Sequence, residues 1–207
     1  MILYRCQLKK TTAGFAPVGA GISDYGRRSA DTGARAKVGC ADGYDMEILV
    51  ACMGNLLRGD DGFGVAVADA LRDRDFPPSV DVVEVGISGV SMAQELLDDY
   101  DAFVLVDAME TGDDPGTVSV SRASVPDIDQ YSDREIAGFA ADMHQTDPSK
   151  ILVLGEALGV LPDVVVVVGC EPTETDELTD RLSRPVREAV PEGADQVERI
   201  VDELVHQ

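Results

Sequence analysis

Five consecutive valines, Val164 to Val168, stand between Pro162-Asp163 and Gly169-Cys170. A β-branched run of this kind reads as a strand, and because no polar residue interrupts it at alternate positions, as one buried on both faces in the centre of a sheet. Two further apolar runs, Ile48 to Met53 and Ala102 to Val106, have the same character. A chain that must cover several such strands on both sides needs helices above and below them.

The intervening segments supply those helices. Phe63 to Arg74 and Ser91 to Asp98 carry apolar residues at helical spacing, and Val80 to Val85 reads as another strand. Pro115-Gly116 turns the chain into a strand at Thr117 to Ser121. Residues Ala123 to Gln145 look irregular and polar, a candidate substrate-facing loop. Asp147-Pro148 has the form of an N-cap and first-turn proline for a helix reaching Leu158, and Pro185 to Val205 predicts a last helix with Val186, Val190, Val197, Ile200, Val201 and Leu204 available to one face. The expected order is β-α-β-α-β-β-α-β-α, an α/β domain with a mostly parallel sheet covered on both faces. Sites in such sheets lie beyond the carboxyl ends of the strands, near the point where strand order reverses.

Residues 1–45 are different. They are Gly-rich, basic and without periodicity, and hold seven of the 17 Lys and Arg but only four of the 39 Asp and Glu. They read as an extension, disordered or preceding the true start at Met46, with residues 46–207 as the single folded domain. The body is therefore more acidic than the net charge of -22 for the whole chain. Such a surface repels nucleic acid and anionic lipid, whose binding depends on cationic groups. Lys150 is the only lysine after Met46, and that scarcity beside so many carboxylates suggests a halophilic host in which salt screens self-repulsion. Cys6, Cys40, Cys52 and Cys170 form neither a C-x-x-C pair nor a dense disulfide framework. The longest hydrophobic tract, Ala157 to Cys170, is broken by Pro162 and Asp163, and no signal-peptide stretch opens the chain. The expectation is a soluble cytoplasmic protein without membrane insertion.

Chemistry gathers at the predicted strand ends. The first strand runs into Gly54-Asn55-Leu56-Leu57-Arg58-Gly59-Asp60-Asp61-Gly62-Phe63-Gly64. The loop is glycine-rich like a phosphate cradle but has neither a G-x-G-x-x-G nor a G-K-S/T pattern, and its adjacent carboxylates favour a cation over an anion. The third strand ends at Asp107, whose carboxylate is costly to desolvate unless it is paired, hydrogen-bonded or bound to metal; capping the next loop is the plainer role. Of the two histidines, His144 is the candidate within the body and His206 is penultimate. In Asp142-Met143-His144-Gln145-Thr146 an imidazole serves as ligand, as proton carrier, or as an idle surface group. Asp61, Asp107 and His144 together suit nickel or zinc with positions left open for substrate. Gly86-Ile87-Ser88-Gly89-Val90 misplaces the second glycine of a nucleophile elbow, and there is no H-E-x-x-H. Cys170-Glu171, following the last strand, is a candidate supporting pair.

These residues resemble the hydrogenase maturation endopeptidases, which trim the C-terminus of the large subunit of nickel-iron hydrogenases. Gly54-Asn55, the run from Gly59 to Gly64, Asp107 in Val-Asp-Ala, Pro115-Gly116-Thr117 and the His144 loop occur in the family's order and approximate spacing, over nearly all of residues 46–207. The resemblance implies a three-layer α/β/α sandwich around a twisted sheet. It implies that Asp61, Asp107 and His144 are the metal-contacting and catalytic positions, with Asp60 assigned to loop structure. It also implies that the nickel arrives in the precursor substrate, zinc or another divalent ion being an alternative in isolation. The basic extension has no counterpart in that family pattern, and the acidic host leaves a related metalloprotein precursor as an alternative substrate. A non-catalytic nickel or zinc binding or metallochaperone module is the competing function, and a nucleotide-binding module the third.

Overall fold

The computed structural model describes residues 46–87, 89–123, 128–141, 148–173, 175 and 178–206. The basic extension and His144 lie outside these residues, as does Asp147, the expected N-cap. Five strands form one sheet: β1 (Ile48–Met53), β2 (Val80–Gly86), β3 (Ala102–Ala108), β4 (Val118–Arg122) and β5 (Val164–Cys170). The described residues also form five α-helices: α1 (Phe63–Leu71), α2 (Gly89–Glu95), α3 (Asp133–Ala141), α4 (Pro148–Leu158) and α5 (Arg184–Val205).

The strand order is β2-β1-β3-β5-β4. β1 pairs in parallel with β2 and with β3, and β3 with β5, while β4 closes the edge antiparallel to β5. The valine run is thus an inner strand, and every residue of β5 and of β1 is buried. Alternation splits these side chains between two cores. Ile48, Val50, Cys52, Val104, Val106, Val166 and Val168 pack with Phe63 and Val67 of α1 and with Val197, Ile200 and Val201 of α5. Leu49, Ala51, Met53, Phe103, Leu105, Val165 and Val167 pack with Met92 and Leu96 at α2 and with Ile151 and Leu152 of α4. The result is an α/β sandwich of three layers around a mostly parallel sheet.

The helix pair α1 and α5 is tightly seated. A Cβ on Gly193 of α5 would stand 2.7 Å from the Phe63 ring and 3.0 Å from a Val67 methyl, so only glycine allows this approach. Just past α1, Arg74 pairs with Asp195 at 2.6 Å and with Glu198, tying the chain to α5 on the solvent side.

One expectation is corrected. The stretch from 123 to 145 includes α3, which begins with a reciprocal cap: the Ser132 amide donates to Glu135 Oε2 at 2.9 Å and the Glu135 amide to Ser132 Oγ at 3.4 Å. Tyr131 and Phe139 then meet edge to face, ring centroids 5.6 Å apart. No described helix is long and apolar enough to cross a membrane.

Candidate active site at the carboxyl edge of the sheet

The chain leaves β1 toward β2 on one side and returns to β3 on the other. The switch point therefore lies between the carboxyl ends of β1 and β3, where Asp61 and Asp107 were expected. Two glycines fix the backbone there. A Cβ on Gly64, in the first turn of α1, would run into the Met53 carbonyl oxygen and stand 2.5 Å from that of Val106. The start of α1 is thereby pressed onto the last residues of both strands. Gly54 has φ +142, and a Cβ on it would overlap the Asp61 carbonyl oxygen. The Asn55 amide donates to that same oxygen at 3.1 Å. Residues 54–62 thus fold back on themselves, ending in a single 3-10 turn over Gly59–Gly62.

The adjacent aspartates have opposite environments. Asp60 is 1% exposed, with Oδ1 accepting the Ser183 amide at 2.6 Å and Oδ2 accepting the Thr173 amide at 2.8 Å. It joins the 3-10 turn to both ends of the β5–α5 connection. Asp61 is half-buried. Burial pushes its carboxyl up from the ordinary aspartate value, while the Arg58 guanidinium and the Asn55 amide draw it back part of the way.

Asp107 is the penultimate residue of β3 and 6% exposed. Its Oδ1 accepts the Ala108 amide at 2.9 Å. In register on β5 it faces Gly169, so its neighbour on that side has no side chain. By alternation Asp107 belongs to the α2 and α4 side, as Phe103 and Leu105 do. α4 ends close to the start of β5, at the amino edge. Its 11 residues, roughly 16 Å of helix, therefore run back from the carboxyl edge. The segment holding His144 immediately precedes that helix in sequence.

Glu171 carries more of the architecture than its sequence suggested. Its Oε2 accepts the amides of Thr111, Gly112 and Asp113 at 2.6, 2.9 and 3.2 Å, and the Thr111 hydroxyl at 2.7 Å. Burial alone would raise its pKa, but these donors outweigh it and hold the carboxyl below the ordinary glutamate value. The loop after Asp107 is in this way folded around a fixed negative charge. The signal available in sequence was a buried strand followed at once by a carboxylate, with Pro115-Gly116 ahead of it; the partners lie 58 to 60 residues away.

Cys52 and Cys170 are buried on the α1 and α5 side. Burial first, then Glu84 for Cys52 and Asp60 for Cys170, pushes each thiol up to about 12. Neither supplies a thiolate nucleophile near neutral pH. Among the described residues no group of three or more His, Cys, Asp and Glu is arranged to hold a metal ion. The structure brings Asp61 and Asp107 to the same edge, and the third member of the expected set lies outside what it describes.

Comparison with known proteins agrees with this architecture. The family profile HycI, hydrogenase maturation protease, matches residues 65–200. The hydrogenase expression/formation protein HupM of Azotobacter chroococcum is 32% identical over 70% of this chain and 66% of its own, so the chain spans just under two thirds of that relative. Among solved structures, a hydrogenase 2 maturation peptidase from a Thaumarchaeota archaeon superposes with a TM-score of 0.55 at 31% identity, covering 74% of this chain and 96% of that one. The NiFe hydrogenase maturation protease HycI of Thermococcus kodakarensis gives 0.56 at 25% identity, over 76% of this chain and 94% of that one. On the extent of these matches, the chain belongs to the hydrogenase maturation protease family.

Proposed function

We propose that this protein is an endopeptidase that removes a C-terminal peptide from the precursor of a nickel-iron hydrogenase large subunit, or of a related metalloprotein, after nickel has been inserted into that precursor. The observation that supports the reading is that Asp61, on the connection leaving β1, and Asp107, near the end of β3, both lie at the carboxyl edge of the sheet beside its switch point, Asp61 half-buried and Asp107 buried. Carboxylate oxygens are suitable ligands for a divalent ion, and in this reading the ion is the substrate's nickel.

In this mechanism Asp61, Asp107 and His144 donate ligands to the nickel carried by the substrate. Their grip sets the adjacent peptide bond in place, and the metal's charge polarises the scissile carbonyl or an attacking water. Water adds to the carbonyl carbon, the C–N bond breaks, and the departing amine takes up a proton. No protein nucleophile is needed, which accords with two buried thiols of raised pKa. The direction of α4 supports the part given to His144. Asp60, occupied by two amides, holds the loop. The acidic composition and the scarcity of lysine support a salt-adapted cytoplasmic setting.

The test is mass measurement of a purified nickel-loaded precursor before and after incubation with the full chain. Loss of a C-terminal fragment is expected with the wild type and not with Asp61→Ala, whose fold is retained. An unchanged precursor mass with the wild type identifies a metal binder instead of a protease, and an active Asp61→Ala variant removes Asp61 from the mechanism.

A further inference from the structure

Asp107 and Met109 stand two positions apart on the side of the sheet that faces α2 and α4, where Met109 packs against the core that holds Leu105 and Val167. Asp107 is in register with Gly169 of β5. Neighbouring strands lie about 4.8 Å apart, so a side chain at position 169 would be the lateral neighbour of the Asp107 carboxylate. Glycine supplies none, and Met109 takes the place instead. A Cβ on Gly169 would meet Met109 Sδ at 3.0 Å and Met109 Cβ and Cγ at 3.2 Å each, so the methionine lies along the glycine over most of its length. An unbranched, flexible side chain suits a gap of that shape.

Met109 is held there by its own backbone. Its amide donates to the Cys170 carbonyl at 2.8 Å. Just beyond it, the amides of Thr111, Gly112 and Asp113 converge on Glu171 Oε2. The segment that carries Met109 is thus fastened to Cys170 and Glu171, the two residues after Gly169. Asp107 in turn is buried, with Oδ1 accepting the Ala108 amide at 2.9 Å. A gap left open beside a buried carboxylate would admit water, which would compete with that amide for Oδ1. The methionine closes the gap.

We infer that Met109, laid over Gly169, is the positioning residue for Asp107: it shuts water out of the flank toward β5 and keeps the carboxylate in the orientation in which it meets the substrate. The catalytic part given to Asp107 comes from the protease reading, on which this inference rests; the device that sets Asp107 is added to it. Met109 acts through Asp107 by filling space, so an apolar side chain of similar volume replaces it and sulfur is not required.

The experiment takes two readouts from the full chain. Hydrogen exchange at the Ala108 amide, followed by NMR, needs no substrate; cleavage of the nickel-loaded precursor, measured well below each unfolding midpoint, gives kcat/KM. The variants are Met109→Ala, Met109→Leu and Gly169→Ala, the last keeping the methionine but displacing it. In Met109→Ala and Gly169→Ala, Ala108 exchange should quicken about tenfold or more and kcat/KM fall about tenfold or more, while the Thr111 and Gly112 amides exchange as in wild type. Met109→Leu should stay within about threefold of wild type in both readouts. Unchanged exchange at Ala108, or wild-type cleavage in Met109→Ala, overturns the inference. So does equal quickening at Thr111 and Gly112, which makes Met109 a packing residue of the whole loop, and so does a Met109→Leu variant as impaired as Met109→Ala. A wild-type chain that leaves the precursor uncut overturns the protease reading, and exchange at Ala108 still decides whether Met109 sets Asp107.

Discussion

The Asp60 carboxylate accepts the Ser183 amide at 2.6 Å across 123 residues of sequence, and its other oxygen takes Thr173. Removing it leaves two part-buried amides without that acceptor. Asp60→Ala should lower unfolding free energy by about 1–3 kcal/mol, with Asp60→Asn retaining part of the loss because one amide oxygen still accepts. Urea denaturation of the three proteins measures this. Equal midpoints would mean that the loop stands without the brace.

Gly64→Ala tests how the strand ends meet the helix. The new methyl would have to push apart the Met53 and Val106 carbonyls, which are themselves held in the sheet. Overpacking of that kind costs about 1–3 kcal/mol or more. Precursor cleavage should fall further than the stability loss explains, since Asp61 and Asp107 shift relative to one another. Denaturation and cleavage rates measured on the same preparation separate the two effects.

Glu171 gives a pH dependence with a definite sign. Its carboxyl is held below its ordinary value of 4.5 in the folded protein, so the folded state favours the ionised form. The stabilisation is fully present above the unfolded-state pKa and is lost as pH falls through the folded one. The stability gap between wild type and Glu171→Gln should be constant from neutral pH down to that range and shrink below it. Unfolding midpoints across an acid series would show it, and a gap that stays constant to strongly acid pH would contradict the assignment.

Much of this architecture was legible because burial on both faces leaves an unmistakable trace. The valines of β5 and the apolar runs of β1 and β3 could only be inner strands, and their ends lead directly to Asp61 and Asp107. What escaped depended on partners far away in the chain or on signals too short to stand out. The cap of α3 was present as Ser132-x-x-Glu135, but the polar composition around it read as loop. The role of Glu171 rests on amides of residues 111 to 113, and the bridge between Arg58 and Thr179 joins loops that no local pattern connects. The antiparallel sense of β4 follows from its pairing with β5, which sequence order does not dictate.

The seating of α5 against α1 through Gly193, together with the hold of Asp60 on Ser183, makes the edge that carries Asp61 and Asp107 the joint product of two distant parts of the sequence. A chain truncated ahead of residue 183 keeps Asp61 and Asp107 but loses the clamp on the 3-10 turn and the helix that covers α1.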